Sequence, residues 1–379
     1  MPQCNPNSFG CSPFVLRNQF RAAGDLRYSA SASSFEALHF RSARKSFATL
    51  VALRPSVLQS IFLVLFIFIF LISTRLSSVA AGLDSPEDLL AAGKVDEAIQ
   101  TLDRQIQTQP SAETYNLLCR AYFDLDNWDA GIPDCEKAVS LAPTNGLYHL
   151  WLGRIYGEKA AHVSFIKAAG LAKKVRTQFE SAVEFDPKNW EAHTDLAEFY
   201  LEAPGVVGGG EDKALAQAAI LQSLNPAMAD WVKARIAQKK KNNAVAEQDY
   251  RASIQSSHGG ARAWVSLAGF YKRIGRLDDM QQALHTMESR PLDRPAALTD
   301  AADLLFSSGR DSTMAIRMVR RYLASGPVEE WPAFKAHYLL GELLEAQGDR
   351  TAAAAEYRTA LSMAHNFRPA QTALDRLEG

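Results

Sequence analysis

Four short stretches share one pattern that decides the fold: LCRAY at residues 118–122, LGRIY at 152–156, LAEFY at 196–200 and LAGFY at 267–271. Each reads Leu, a small residue, any two residues, then Tyr. Weaker copies begin at Lys233, Ala301 and Leu340. The small residues are separated by 34, 44, 37, 34, 34 and 39 positions, which indicates a repeat of about 34 residues. These small residues are Cys119, Gly153, Ala197, Ala234, Ala268, Ala302 and Gly341.

A second amphipathic stretch follows each copy of the pattern. In QFESAVEFDP, residues 178–187, the apolar residues Phe179, Ala182 and Val183 recur at intervals of three and four, which is typical of one face of a helix. A proline closes this stretch and its counterparts that end at positions 110, 143 and 226. Because proline cannot continue a helix, the sequence predicts a unit of helix, turn and helix.

This unit resembles the tetratricopeptide repeat (TPR) in the Leu-small-x-x-Tyr of its first helix, the Ala and aromatic residues of its second, and the terminal Pro. The resemblance covers roughly residues 85–379 and implies an all-α fold, a right-handed superhelical solenoid of antiparallel helix pairs. We expect about eight repeats over residues 82–379, with insertions near 157–173 and 203–213 and a closing helix near 368–377. The insertions are similar to those of bacterial exported or membrane-anchored proteins of this family.

The second insertion, EAPGVVGGGEDKA at residues 202–214, is rich in glycine and raises the question of phosphate binding. A phosphate-binding loop has the pattern G-x-x-x-x-G-K-[ST] after a strand. Here Lys213 follows two acids, and the preceding element is predicted to be helical. We therefore interpret the stretch as an enlarged connection, with Glu211 and Asp212 in the first turn of the next helix, where acids complement the helix dipole.

The N-terminal part of the chain has a different character. Residues 1–56 are rich in Ser and basic residues without an apolar period, so we expect a disordered leader. Residues 61–72 are all apolar, but as a helix they span about 18 Å against roughly 30 Å for a bilayer core. We predict that residues 57–81 form a cleaved export signal, with an uncleaved anchor or a buried core helix as alternatives.

Both membrane interpretations keep the basic leader in the cytoplasm and place the repeats outside it. The leader is longer than a simple export signal requires. Either a start site assigned too far upstream or an organellar transit segment rich in Ser and Arg would explain that length.

No residue set predicts catalysis, a cofactor or a metal. The net charge of −1 gives no strong field toward nucleic acid, and the four cysteines match no zinc motif. His149, His193 and His337 each lie four residues before the small residue of their own repeat, where Tyr115 and Trp264 stand in other repeats. We interpret these histidines as packing residues, and we expect a protein that is not an enzyme.

Cys119 and Cys135 are predicted to lie on the two helices of one repeat. A disulfide requires Cα atoms within about 7 Å, and facing helices usually lie 8–10 Å apart. We therefore expect two buried thiols, with a disulfide as the alternative.

Positions directly after the small residues are expected to face the concave side of the solenoid, and arginines dominate them in its first half. With neighbours one turn away, the candidate peptide groove comprises Asn116, Arg120, Arg154, Arg235, Gln238, Arg262 and Lys272. Because arginine binds carboxylates through two parallel hydrogen bonds, we expect an acidic or C-terminal peptide to dock near Arg120, Arg154 and Arg235. Alternatively, these arginines pair with acids of the chain such as Glu198.

Together these features predict a non-enzymatic protein–protein interaction scaffold outside the cytoplasm. For exported members, the resemblance implies a role in cell-envelope assembly or in a protein complex. The alternative function is an accessory or regulatory subunit of an enzyme complex. We expect a protein or peptide partner, no nucleic acid, and contact with the membrane only through an uncleaved N-terminal segment.

Overall fold

Seventeen α-helices build residues 85–326 and 328–379, the part of the chain that the computed structural model describes. In chain order they are α1 (Pro86–Ala91), α2 (Val95–Thr108), α3 (Ala112–Asp124), α4 (Trp128–Leu141), α5 (Gly146–Ala161), α6 (Phe165–Phe185), α7 (Trp190–Glu202), α8 (Glu211–Leu224), α9 (Pro226–Lys239), α10 (Asn243–Ser256), α11 (Ala261–Arg273), α12 (Leu277–Glu288), α13 (Ala297–Ser307), α14 (Ser312–Ala324), α15 (Ala333–Ala346), α16 (Arg350–Met363) and α17 (Arg368–Glu378).

Successive helices pack as eight pairs, from α1 with α2 to α15 with α16, and α17 covers the last pair. The predicted all-helical solenoid is confirmed. Its second helices α2, α4, α6 and α8 end shortly before the prolines at 110, 143, 187 and 226. Several helices begin at a short polar side chain that accepts a backbone N–H, as Ser111 does for α3 and Asn189 for α7. Local sequence signals therefore set these boundaries.

The tyrosine of the repeat pattern ties neighbouring repeats together. The Tyr200 hydroxyl donates to Glu180 on α6 at 2.9 Å, and the Tyr271 hydroxyl donates to Glu247 on α10 at 2.7 Å. Burial and the bonded carboxylate raise the pKa of Tyr271 to about 12. Each of these tyrosines thus links a first helix to the second helix of the repeat before it.

The small residues of the pattern mark where the two helices of a pair approach most closely. A Cβ added to Gly153 would overlap the ring of the fully buried Phe179 on α6, and one added to Gly341 would overlap the ring of Tyr357 on α16. Larger side chains at these positions would force the pair apart.

Cys119 and Cys135 occupy this same close contact, and the structure joins them in a disulfide. Their Cα atoms are 5.2 Å apart, so the expectation of two separate thiols is wrong. They are separated by 16 positions, as are Gly341 and Tyr357, which meet in the last pair. Gly131 allows the approach, since a Cβ there would lie 3.2 Å from the Cys119 carbonyl oxygen. An interhelical distance of about 8–10 Å applies where larger side chains separate the two helices.

The two predicted insertions take different forms. Helices α5 and α6 are lengthened to 16 and 21 residues. The glycine-rich stretch connects α7 to α8 through a short 3₁₀ turn, and α8 begins at Glu211 as predicted. Gly209 approaches the Ala203 carbonyl so closely that a Cβ would overlap it, and Lys213 Nζ donates to the Gly208 carbonyl at 3.0 Å. Lys213 is therefore bound within the loop.

The first repeat packs against the last one. Leu90 and Leu102 share a core cluster with Phe334 and Phe367. Gly93, with φ +74°, lies so close to Ala333 that a Cβ would overlap the backbone there.

Ion pairs join the same surfaces. Lys335 Nζ lies 3.1 Å from Asp126 Oδ1, and His365 Nδ1 lies 2.9 Å from Asp96 Oδ1. The two ends of the described solenoid are thus in direct contact.

The predicted leader, residues 1–56, and the predicted signal or anchor, residues 57–81, lie outside the described residues. Across residues 85–326 and 328–379, no helix combines the length and the apolar character needed to cross a membrane.

Candidate functional site: the concave face

Every buried charged side chain of the described residues lies on the first helix of a pair. These are Asp124, Arg154, Glu158, Asp195, Glu198, Arg235, Asp300 and Lys335. First helices line the concave side of this kind of solenoid, so the interior face carries the buried charge.

Arg154 is fully buried between two carboxylates of the next repeat. Its Nε lies 2.8 Å from Asp195 Oδ2, and its Nη2 lies 3.2 Å from Glu191 Oε2. Burial alone would lower the pKa of Arg154, but these carboxylates outweigh it and the pKa is raised. Burial also raises the pKa of Glu191 to about 7, against the opposing effect of Arg154. The three groups form one network, in which Arg154 and Asp195 are buried and Glu191 is 16% exposed.

Arg235 forms a second network farther along the chain. Its Nη2 lies 2.5 Å from Glu198 Oε1 and 2.9 Å from Glu202 Oε1. On the same helix, Gln238 accepts a hydrogen bond from the Tyr250 hydroxyl at 2.9 Å. The pairing with Glu198, stated above as the alternative to peptide binding, is therefore present in the structure.

Arg120 and Arg262 contact acids that the repeat pattern does not indicate. Arg120 binds Glu329 through two hydrogen bonds, with Nε 2.6 Å from Oε1 and Nη2 on the other oxygen. Arg262 Nη2 lies 3.3 Å from Glu330 Oε1, and Arg294 also binds Glu330 through two hydrogen bonds. Two adjacent carboxylates thus join three arginines from separate parts of the chain.

Both carboxylates belong to a turn between α14 and α15, which we call the acidic turn (residues 328–331, Val-Glu-Glu-Trp). The Trp331 N–H donates to the Val328 carbonyl at 3.0 Å, and the Val328 N–H donates to the buried Tyr322 hydroxyl at 2.9 Å. Trp331 Nε1 donates to Asp300 Oδ1 at 2.7 Å. Backbone and side-chain bonds therefore hold the turn against the concave face.

One signal in the sequence could have revealed this turn. The last interval of the repeat, from Ala302 to Gly341, is 39 positions instead of 34, and the five extra residues precede α15. The pattern locates an insertion there, but nothing in it shows that the insertion folds inward.

Arginines of the concave face also lie over tryptophan rings. The guanidinium carbons of Arg120 and Arg154 are 5.3 Å and 5.0 Å from the centroid of the buried Trp151 ring. Arg235 lies 5.8 Å from the ring of Trp231. The structure thus brings Arg120 and Arg154 together on one ring.

Three buried donors on α3 and α5 have no acceptor among the described residues. They are Asn116 Nδ2, Trp151 Nε1 and Arg154 Nη1. Asn116 lies one helical turn before Arg120 on α3. Lys272, the remaining predicted groove residue, donates to the Ser307 hydroxyl on α13 and does not join these groups.

The histidines make structural contacts, as interpreted from their positions. His149 Nδ1 lies 2.7 Å from Gln178 Oε1, and its Nε2 lies 2.9 Å from the Pro143 carbonyl oxygen. His193 makes the two equivalent contacts in the next repeat, and His337 Nδ1 lies 2.6 Å from Glu356 Oε2. Within the residues that the structure describes, no group of three or more His, Cys, Asp or Glu side chains is placed to hold a metal ion.

Comparison with known proteins places similarity in the repeats. Rat sperm-associated antigen 1 is 35% identical over 54 residues, which cover 14% of this chain and 6% of that protein. A TPR protein of Parabacteroides merdae is 19% identical with a TM-score of 0.36, over 74% of this chain and 100% of that one. A TPR protein of Thermus thermophilus is 17% identical with a TM-score of 0.41, over 49% and 96%.

Family models for the tetratricopeptide repeat match residues 295–376 and residues 112–145. These stretches contain α13 to α16 and α3 with α4, and the same helix pairs continue between them. The chain therefore contains tetratricopeptide repeats.

Proposed function

We propose that this protein is a non-enzymatic scaffold that binds a protein partner through the concave face of its repeats. Tetratricopeptide repeat proteins generally act as scaffolds, and stacked helix pairs offer an extended concave surface suited to a peptide or a helix. The single observation that carries the proposal is the concentration of buried charge and arginine–tryptophan contacts on the first helices. We place its role in cell-envelope assembly or another protein complex.

The partner segment is acidic. Arg154 and Arg235 already form ion pairs with carboxylates of neighbouring repeats, and their side chains are 0% and 7% exposed. Arg120 and Arg262 retain 15% and 28% exposure. An acidic or C-terminal peptide would therefore engage Arg120 and Arg262 first, and the buried arginines shape the face beneath it.

A capture experiment with paired variants tests this proposal. We expect full-length Arg120→Gln/Arg262→Gln to retain its helical circular dichroism and to recover at least tenfold less of the partner that the parent captures. The control is Arg251→Gln/Arg317→Gln, which removes two arginines that are 56% and 54% exposed. Equal recovery by the folded groove variant and the control would refute the proposed surface.

We also propose that the repeats lie outside the cytoplasm. The basic leader and the apolar stretch of residues 61–72 support this location. The bridged Cys119 and Cys135 support it too, since disulfides persist in oxidising compartments.

Alkylation in acid-quenched cells tests the location. We expect Cys119 and Cys135 to be modified only after reduction, as read by peptide mass spectrometry. The same chain lacking residues 1–81, retained in the cytoplasm, serves as the control and is expected to be modified without reduction. Unreduced modification of both cysteines in the full chain would contradict the location, and a reporter active only after export, fused after Gly379, is expected to be active.

A further inference from the structure

The acidic turn occupies the concave face in the manner of a bound peptide. It is short, it lies in a connection, and its two carboxylates reach arginines on α3, on α11 and in the segment before α13. Arg120 and Glu329 are 209 positions apart in sequence. The Arg120–Glu329 contact is therefore a product of the closed solenoid, whereas Trp331 of the same turn is buried in the main core and donates to Asp300 on α13.

The arginines around the turn require carboxylates from some source. Arg262 and Arg294 share Glu330, and burial together with the nearby Arg294 lowers the pKa of Arg262. Without a carboxylate between them, these two partly exposed cations would repel each other. The site is thus built for an acidic segment, and the acidic turn is the one that occupies it in this structure.

The acidic turn leaves part of the face unsatisfied. The amide of Asn116 and the indole of Trp151 are buried donors without acceptors among the described residues, and both lie beside Arg120 in the fold. A peptide longer than the turn has backbone carbonyl oxygens that such donors can bind. The face therefore offers more hydrogen bonds than its internal occupant uses.

We propose that the acidic turn is an internal ligand of the concave face, which an acidic segment of a partner displaces. This inference rests on the scaffold function proposed above and adds the partner's chemistry: two adjacent carboxylates followed by an aromatic residue, as in Glu329, Glu330 and Trp331. Because Glu329 precedes the last pair and Arg120 lies on the second pair, displacement also removes one contact that closes the solenoid.

The probe is the chain's own segment supplied in trans. A fluorescein-labelled peptide of residues 326–333, GPVEEWPA, is titrated against the full-length protein, and fluorescence anisotropy reports binding. We expect Glu329→Gln/Glu330→Gln to bind this peptide at least tenfold more tightly than the parent, because the neutral turn no longer competes for the arginines. The matched control is Glu97→Gln/Glu184→Gln, which removes two exposed acids and is expected to bind as weakly as the parent.

Two comparisons make the result decisive. A peptide with both glutamates replaced by glutamine is expected to lose the binding to the double variant. Equal affinity of parent and double variant for the acidic peptide would overturn the proposal, even where a partner is captured through Arg120 and Arg262.

Hydrogen exchange on the parent protein provides a measurement that needs no variant. Millimolar GPVEEWPA is expected to speed amide exchange in residues 328–335, and the glutamine peptide is expected to leave it unchanged. Unchanged exchange with the acidic peptide would equally overturn the proposal.

Discussion

Replacement of Arg154 by methionine is expected to lower the free energy of unfolding by about 3–5 kcal/mol at pH 7.5, the usual cost of removing one partner from a buried ion pair. The guanidinium is 0% exposed and neutralises Asp195, which is 3% exposed. Without Arg154, the carboxylates of Asp195 and Glu191 remain in the interior with only the more distant Arg262 to oppose their burial. Urea denaturation followed by circular dichroism measures the change.

The loss is expected to depend on pH in a defined direction. Burial already raises the pKa of Asp195 and of Glu191 in the folded protein, and loss of Arg154 raises both pKa values further. A carboxyl group with a raised pKa in the folded state contributes its stability at low pH and loses it as the pH rises through that pKa. The variant is therefore expected to lose more stability at pH 8 than at pH 5, relative to the parent.

Two controls separate charge burial from the loss of side-chain packing. Arg154→Met/Asp195→Asn removes the cation together with its nearest anion, and we expect it to recover a large part of the lost stability at pH 8. Arg251→Met removes an arginine that is 56% exposed, and its cost is expected to stay below about 1 kcal/mol. If Arg154→Met lowers the free energy of unfolding only slightly, and equally at all pH values, the network of Arg154, Asp195 and Glu191 carries little charge.

Two glycine-to-alanine changes are expected to shift the free energy of unfolding in opposite directions. In an ordinary helix interior, alanine stabilises by roughly 0.5–1 kcal/mol relative to glycine. Gly170 in α6 has no atom within 4 Å of an added Cβ, so Gly170→Ala is expected to show that gain. At Gly153 the Cβ would overlap the buried Phe179 ring, so Gly153→Ala is expected to lose about 1–3 kcal/mol through overpacking.

Thermal and urea denaturation of the two variants beside the parent measure both signs. A stabilised Gly153→Ala would mean that the helices of the third pair are farther apart than the structure has them. The ring of Phe179 would then have room to move, and the small residues of the repeat pattern would not define the contact distance.

The repeat itself could be predicted from sequence because it is local and recurrent. Small residues, second-helix aromatics and terminal prolines each repeat at matched intervals, so the pattern predicts the helix pairs. A general interhelical distance does not predict the disulfide, because Cys119 and Cys135 occupy the closest point of the pair.

The candidate site was only partly predictable, for a physical reason. Arg120, Arg154, Arg235 and Arg262 were placed on the concave side from their positions in the pattern. Their partners depend on the curvature accumulated over eight pairs, which brings residues 209 positions apart into contact. The repeat interval does not specify this accumulated curvature. Neither the contact between the first and last repeats nor the role of the acidic turn could therefore be predicted.

Closure of the solenoid brings the acidic turn, which precedes the last pair, to Arg120 on the second pair. It is tested most directly by cross-linking Asp96→Cys/His365→Cys with a short bismaleimide, in a full chain with Cys4 and Cys11 changed to serine. These side chains lie 2.9 Å apart in the structure although their positions differ by 269.

Closure predicts an intramolecular cross-link between these two positions in most molecules at micromolar concentration, read by peptide mass spectrometry. It predicts none for the control pair Asp96→Cys/Gln255→Cys, whose second position is exposed on a middle repeat. An Asp96–His365 pair that cross-links no better than the control would contradict closure and, with it, the placement of the acidic turn on Arg120.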